Sequence, residues 1–210
     1  MNATAWVVLL FALWLWGKDV TEFDHRRPAL GGTTSAERGD ADTGQPLPDA
    51  LAPLPGDTPP VGVRVDALGI RAEVVERGLD ADGAVDAPPL SQGQTVGWYG
   101  GGATPGAAGV ALLVGHVDTE TEPAVFYNLS SARPGTVVEV AREDGSVAEF
   151  TVETVEVLQR EGFDPDRAYG PRREGRAELR LITCGGQFDR ERRGYTANVV
   201  VSAYLTGTRV

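Results

Sequence analysis

The sequence is poor in the residues from which disulfides and transition-metal centres are built. Its 210 residues include one cysteine and two histidines. One cysteine excludes an intramolecular disulfide, and this set excludes a Cys/His zinc cluster within one site unless carboxylates supply most of the ligands. Basic residues are also scarce, with 19 Lys and Arg against 30 Asp and Glu and a formal charge of −11. Because nucleic-acid binding needs a basic surface, we expect no nucleic-acid partner. We also expect no metal and no cofactor.

Residues 3–16 form an almost purely apolar run that contains three of the four tryptophans. As a helix it would span roughly 21 Å, short of the ~30 Å hydrocarbon core of a bilayer. No Lys or Arg precedes the run and no small-x-small cleavage site follows it, which disfavours a cleaved signal peptide. We predict a signal anchor over residues 1–17, with Trp14 and Trp16 at the membrane interface. A buried core helix is the alternative.

Residues 18–60 have the composition of a linker. They hold half of the 14 prolines, together with Gly, Ser, Thr and Asp. Such a segment buries too little apolar area to offset its ordering entropy, and its proline content favours extended conformations. We predict a disordered stalk that carries a domain away from a membrane surface.

From residue 61 onward the pattern changes to short β-type runs separated by turn signals. The pattern predicts strands at seven places: residues 61–65, 70–75, 110–117, 136–141, 147–157, 179–183 and 199–205. The turn Glu143-Asp144-Gly145 predicts a hairpin between two of them, and residues 124–133 and 164–169 have room for short helical turns. The folded domain, residues 61–210, is therefore expected to be an all-β barrel or sandwich.

Cys184 and His116 stand out as candidate catalytic residues. Each follows a strongly apolar strand, each is adjacent to glycine, and they are the only cysteine and histidine in the folded region. A buried structural role is the competing interpretation for each residue. A free thiol is only about 3% ionised at pH 7, so a neighbouring imidazolium would raise the thiolate fraction and then supply a proton to a leaving amine.

Positive charge gathers around Cys184. Residues 61–159 hold five Arg against fifteen acids, whereas residues 160–193 hold nine Arg against seven acids. Arg190, Arg192 and Arg193 follow Cys184 closely, and we expect at least one arginine within reach of the thiolate to stabilise developing negative charge. A solvated charged hairpin is the alternative.

Sequence motifs around Cys184 and His116 add to this interpretation. Leu181-Ile182-Thr183-Cys184, preceded by Arg180, resembles the Thr-Leu-x-Thr-Cys signature of the sortase family, with Arg180 in place of the first Thr. His116, 68 residues upstream, resembles the family's histidine. The resemblance covers residues 61–207 and includes the following segments: Gly97-Trp98-Tyr99, Pro105-Gly106, Gly115-His116-Val117-Asp118, Ala124-Val125-Phe126-Tyr127, Arg133-Pro134-Gly135 and Thr183-Cys184-Gly185-Gly186-Gln187-Phe188-Asp189. These segments are most similar to the class F sortases of high-GC Gram-positive bacteria.

The resemblance implies a closed sortase-like β-barrel of about eight strands, held at the cell membrane by one span with its catalytic domain outside. It implies a cysteine transpeptidase in which Cys184 attacks the Thr–Gly bond of a Leu-Pro-x-Thr-Gly-like sorting signal on a protein substrate. His116 would protonate the departing amine. The acyl group would pass to an amine acceptor such as a lipid-linked peptidoglycan precursor or a protein lysine.

The family's third catalytic residue is an arginine near the start of the last strand, and here a count along that strand reaches Asn198 instead. We assign the role to Arg190, with Arg193 as the second choice. Arg193 and Thr183 are expected to contact the substrate. The non-enzyme alternative is a stalked β-barrel adhesin or scaffold, in which Cys184 would be unreactive.

Overall fold

Alternating apolar residues form the strands of the computed structural model, which describes residues 46–81, 83–191 and 194–210. Within these residues there are eight strands: β1 (Pro60–Val65), β2 (Ile70–Arg77), β3 (Val96–Tyr99), β4 (Gly109–Val114), β5 (Val137–Arg142), β6 (Val147–Gln159), β7 (Ala177–Asp189) and β8 (Gly194–Arg209). One short helix, α1 (Pro165–Tyr169), and 3₁₀ turns at Asp66–Leu68, Leu90–Gln92 and Leu129–Ser131 complete the described elements.

The strands close into a barrel in the order β1-β2-β3-β4-β7-β8-β6-β5. Most neighbours are antiparallel, but β2 pairs with β3 and β4 pairs with β7 in parallel. The predicted all-β closed barrel is therefore confirmed. The hairpin predicted at Glu143-Asp144-Gly145 joins β5 to β6, and Gly145 adopts the positive φ of 83° that this turn requires.

The barrel interior is filled by alternate residues of the strands. Val, Leu, Ala and Phe side chains dominate it, and Phe126, Phe150, Leu179 and Leu181 have no exposed surface. Burying a side chain of this size contributes roughly 1.5–3 kcal/mol. The interior is thus a packed core that leaves no room for a substrate, and any active site must lie on the outside of the barrel.

A second, smaller apolar cluster lies on the outer face of β7. It consists of Val114, Leu158, Ala168, Ile182 and Val200. Phe163 and Tyr169, from the connection between β6 and β7, pack against it. This connection, residues 160–176, therefore covers part of the outer face of β7 and lies close to the residues that follow Ile182 on that strand.

Helix α1 begins where the sequence supplies a strong start signal within the connection. The Asp164 side chain accepts hydrogen bonds from the backbone N–H groups of Asp166 and Arg167 at 3.0 and 3.3 Å, and Pro165 occupies the first helical position. The helical turn expected at 164–169 is therefore present.

Residues 46–59 belong to the predicted stalk, but they lie against the barrel without regular secondary structure. The N–H of Leu51 donates to the carbonyl of Leu205 at 2.8 Å, and that of Leu54 donates to Gly106 at 2.8 Å. Residues 1–45, with the expected anchor and most of the expected stalk, lie outside the described residues. Among the helices that the structure describes, none has the length and apolar character to cross a bilayer.

Candidate active site

Cys184 lies on the outer face of β7 at the point where one neighbouring strand has ended. The parallel pairing of β4 with β7 stops at Val114 and Ile182, whereas β8 continues along β7 and pairs Asn198 with Cys184. The expected strand over 179–183 thus extends to Asp189, because β8 supplies hydrogen bonds beyond the cysteine. Cys184 is half-buried, and it lies beyond the last residue of β7 that pairs with β4.

His116 reaches the same place from β4. It follows Val114 by two residues, just as Cys184 follows Ile182 by two, and Val114 and Ile182 are paired. The histidine Nε2 lies 2.6 Å from the carbonyl oxygen of Pro88. Because a carbonyl oxygen can only accept a hydrogen bond, Nε2 carries a proton and Nδ1 is the ring atom left to exchange one.

Glycines next to both residues allow close packing of the chain. A Cβ on Gly115 would lie 2.7 Å from a ring carbon of Phe126, and one on Gly185 would lie 2.7 Å from Cγ2 of Val199. Since Phe126 is fully buried, it has little room to move away from a side chain at position 115. The glycines therefore fix where His116 and Cys184 leave their strands.

His116 and Cys184 line one cavity of about 690 Å³. Asp118, Arg160 and Tyr195 belong to the same lining. The Tyr195 hydroxyl donates to the Asp118 carboxylate and so joins the segment after β4 to the hairpin of β7 and β8. This hydrogen bond raises the pKa of Tyr195 to about 12, so the phenol keeps its proton and stays a donor at neutral pH.

The Cys184 thiol has a raised pKa. Burial is the main cause, the positive charge of Arg160 opposes it, and the negative charge of Asp118 adds to it. The resting thiol is therefore largely neutral at pH 7. The charges of Arg160 and Asp118 change this pKa in opposite directions, in addition to the larger effect of burial.

A network of buried charges holds the covering connection in place. Glu178 and Arg180 on β7 have side chains without exposed surface and pair at 2.7 Å. Glu178 also accepts hydrogen bonds from the backbone N–H groups of Arg172 and Arg173 at 3.0 and 2.8 Å. Burial alone would raise the pKa of Glu178, but these backbone bonds and the Arg180 guanidinium outweigh it and hold that pKa below its ordinary value.

Of the other predicted site residues, Arg190 and Thr183 are not part of the cavity lining. Arg190 is exposed in the turn between β7 and β8 and is not among the residues of the cavity lining, and its catalytic role stays a prediction. Thr183 is 4% exposed and lies on the opposite face of β7 from Cys184, so its predicted substrate contact has no support from its side-chain position. Arg193 lies outside the described residues.

The structure adds three residues that the sequence analysis did not single out. Pro88 supplies the carbonyl that orients His116, Tyr195 binds Asp118, and Arg160 lines the same cavity as Cys184 and lowers the pKa of its thiol. Arg160 was visible in the sequence only as the first of the nine arginines in residues 160–193. Its relevance depends on β6 lying beside β8, which chain order does not reveal.

Comparison with protein-family models matches residues 63–206 to the sortase domain. A search of curated proteins found no match.

Three solved structures illustrate the likeness of the fold. Sortase A from Corynebacterium diphtheriae is 16% identical with a TM-score of 0.54, over 72% of this chain and 63% of that chain. The SrtA sortase from Actinomyces oris is 18% identical with a TM-score of 0.55, over 80% and 89% of the two chains. Sortase C-1 from Actinomyces oris is 20% identical with a TM-score of 0.52, over 70% and 72%. The match thus spans less than two thirds of the Corynebacterium diphtheriae chain, and at these identities the structural likeness concerns the fold.

Proposed function

The chain belongs to the sortase family, and from that premise we propose that it is a cysteine transpeptidase that cleaves a sorting signal and transfers it to an amine. The observation that carries the proposal is that Cys184 and His116, from two adjacent parallel strands, line one cavity outside the barrel. Sortases as a family are cysteine transpeptidases. The cavity holds the nucleophile and the proton carrier that such a reaction needs.

The first half-reaction forms a thioester. The Cys184 thiol gives its proton to Nδ1 of His116, and the resulting thiolate attacks the carbonyl carbon of the scissile amide. A C–S bond forms, and the carbonyl oxygen becomes an oxyanion. As the C–N bond breaks, Nδ1 of the His116 imidazolium gives its proton to the departing amine. The Pro88 carbonyl accepts the Nε2 hydrogen bond throughout, so the ring keeps its orientation while Nδ1 changes protonation.

The second half-reaction runs in the opposite sense. An acceptor amine attacks the thioester carbon and gives its proton to Nδ1 of His116. The C–S bond breaks, and the thiolate of Cys184 leaves and takes the proton back from Nδ1, which restores the starting state. Water in place of the amine would give hydrolysis.

The finer assignments rest on the sequence. The motifs around Cys184 and His116 support class F, and a Leu-Pro-x-Thr-Gly-like signal is the proposed substrate. The apolar run at residues 3–16 supports a single membrane anchor with the catalytic domain outside the cell. Protein substrates that carry the signal and a peptidoglycan precursor or protein lysine as acceptor are the proposed partners.

The test uses the full-length protein with a Leu-Pro-x-Thr-Gly peptide, with and without an amine such as triglycine. Intact-mass spectrometry should show an acyl adduct on Cys184, and the amine should convert it to a ligated product. The Cys184→Ala variant should form neither. Absence of any adduct across a panel of sorting peptides would contradict the proposal and favour a scaffold.

A further inference from the structure

The part of β8 that lies beside Cys184 offers no charge to stabilise an anion. β8 pairs Asn198 with Cys184, and Thr196 and Val200 share the face of Asn198 because alternate residues of a strand point the same way. All three side chains are uncharged. An anion at Cys184, first the thiolate and then the oxyanion, therefore has no cation among the three residues of β8 that lie beside it on this face.

Arg160 brings a cation to that face from one strand farther away. β8 pairs Asn198 with Leu158 of β6, so Cys184, Asn198 and Leu158 form one row across three strands. Arg160 follows Leu158 by two residues, and its backbone N–H donates to the carbonyl of Thr196 at 2.9 Å, which continues the pairing. By strand alternation Arg160 shares the face of Leu158 and Cys184.

Because β8 lies between them, β6 and β7 are two strand spacings apart, about 10 Å. The arginine side chain is long enough to cover much of the distance between residue 160 and Cys184. Consistent with this, Arg160 and Cys184 line the same cavity. Arg160 also lines a second cavity, of about 710 Å³, between the start of the β6–β7 connection and the β7–β8 hairpin. It therefore stands where the site opens into a neighbouring groove.

The guanidinium of Arg160 is available for a ligand. Arg167, Arg172 and Arg176, which follow it in the same connection, are paired with glutamates. Arg160 is exposed, and within residues 46–81, 83–191 and 194–210 its guanidinium makes neither a hydrogen bond nor an ion pair. Its charge nevertheless reaches the site, because it lowers the pKa of the Cys184 thiol against the effect of burial.

We propose that Arg160 is a catalytic residue of this enzyme: its guanidinium stabilises the Cys184 thiolate and then donates N–H hydrogen bonds to the oxyanion of the tetrahedral intermediate. The assignment rests on the proposed transpeptidase function. It moves the cationic role from β8, where Asn198 stands opposite Cys184, to the residue that directly follows β6. Arg190, the residue predicted from the sequence, is the competing candidate.

Two measurements on full-length Arg160→Gln and Arg160→Lys test the assignment. The first is kcat/KM for acyl-enzyme formation, which should fall roughly 10²–10³-fold in Arg160→Gln, the usual effect of removing one oxyanion donor. The second is the pH–rate profile of Cys184 alkylation by iodoacetamide, which needs no substrate and whose midpoint should move to higher pH. Arg160→Lys should restore that midpoint but recover only part of the acylation rate, because an ammonium cannot reproduce the planar fork of donors.

Arg71→Gln is the matched control, since Arg71 is an exposed arginine on β2 that is not part of the cavity lining, and it should behave as wild type in both assays. Thermal unfolding of Arg160→Gln should also match wild type, because an exposed, unpaired side chain contributes little to stability.

The assignment is overturned if Arg160→Gln acylates within about threefold of wild type, well short of an oxyanion-donor effect, or if Arg190→Gln shows the loss instead. A wild-type protein that forms no acyl-enzyme overturns the proposed function. Even then, an unchanged alkylation midpoint in Arg160→Gln would separately show that Arg160 does not act on Cys184.

Discussion

Replacing Glu178 with glutamine should destabilise the protein strongly, although the change removes only one charge. The Glu178 carboxylate accepts hydrogen bonds from Arg176 Nε at 3.0 Å and Arg180 Nη2 at 2.7 Å, in addition to two backbone N–H groups. Arg176 keeps Glu153 as a partner at 2.8 Å. Among the residues that the structure describes, Arg180 then keeps only backbone carbonyls as partners, those of Gly170 and Leu179, and its side chain has no exposed surface.

The expected loss follows from leaving the Arg180 charge buried without a counter-charge. Breaking a buried ion pair from one side costs about 3–5 kcal/mol. For a chain of this size 1 kcal/mol corresponds to about 2–4 °C, so the melting temperature should fall by roughly 6–20 °C. Urea and thermal unfolding followed by circular dichroism measure both quantities.

Two comparison variants make the experiment decisive. Glu178→Gln combined with Arg180→Met removes both charges and should be more stable than Glu178→Gln alone. Glu174→Gln is the control, because Glu174 is an exposed acid of the same connection, and it should change stability by less than about 0.5 kcal/mol. A Glu178→Gln variant within about 1 kcal/mol of wild type, below the range for a broken buried pair, would refute the reasoning.

Acid should mimic the substitution. The folded pKa of Glu178 lies below its ordinary value of 4.5, so the stability it contributes is present above that value and is lost as the pH falls through the folded pKa. The stability difference between wild type and Glu178→Gln should therefore shrink on acidification below pH 4.5. A difference that is constant between neutral pH and pH 3, spanning the protonation of a carboxylate, would contradict this.

Two further substitutions probe the site itself. Asp118→Asn removes a negative charge that raises the pKa of the Cys184 thiol, but it keeps an oxygen that accepts the hydrogen bond from Tyr195. The midpoint of the Cys184 alkylation profile should therefore move to lower pH, opposite to the shift expected for Arg160→Gln. A shift to higher pH would contradict this electrostatic interpretation. Gly115→Ala places a Cβ 2.7 Å from a ring carbon of Phe126, and it should lower the free energy of unfolding by about 1–3 kcal/mol in urea titrations, with an unchanged value arguing against the tight packing.

The sequence allowed the barrel to be predicted because its strands follow the period of two. The hairpin at Gly145 and helix α1 also follow from local signals, a turn sequence and an N-cap with proline. The length of β7 does not follow from local signals. Gly185 and Gly186 suggest that the strand ends at Thr183, but hydrogen bonding to β8 continues past them, and tertiary pairing overrides the low strand propensity of glycine.

Residue types that occur once in the folded region could be proposed as site residues from the sequence. Residues that reach the site only through the order of strands in the barrel could not. Cys184 and His116 were paired because the folded region holds one residue of each type. Arg160 could not be found in this way, because it is brought near Cys184 only by the pairing of β8 with both β6 and β7. In the sequence, β7 separates β6 from β8. The burial of Glu178 and Arg180 is likewise invisible in a strand that otherwise reads as apolar.

The parallel pairing of β4 with β7 also has a kinetic consequence. It unites segments that are distant in the chain, and the barrel closes through another long-range pair, β1 with β5. Folds dominated by such non-local contacts fold in about milliseconds to seconds, far more slowly than helical bundles, because loop-closure entropy is lost before the contacts form. Cys184 meets its histidine only after this slow step, and β8, which flanks the cysteine, follows it in the chain. A nascent chain therefore carries an unpaired thiol at least until β8 has been synthesised.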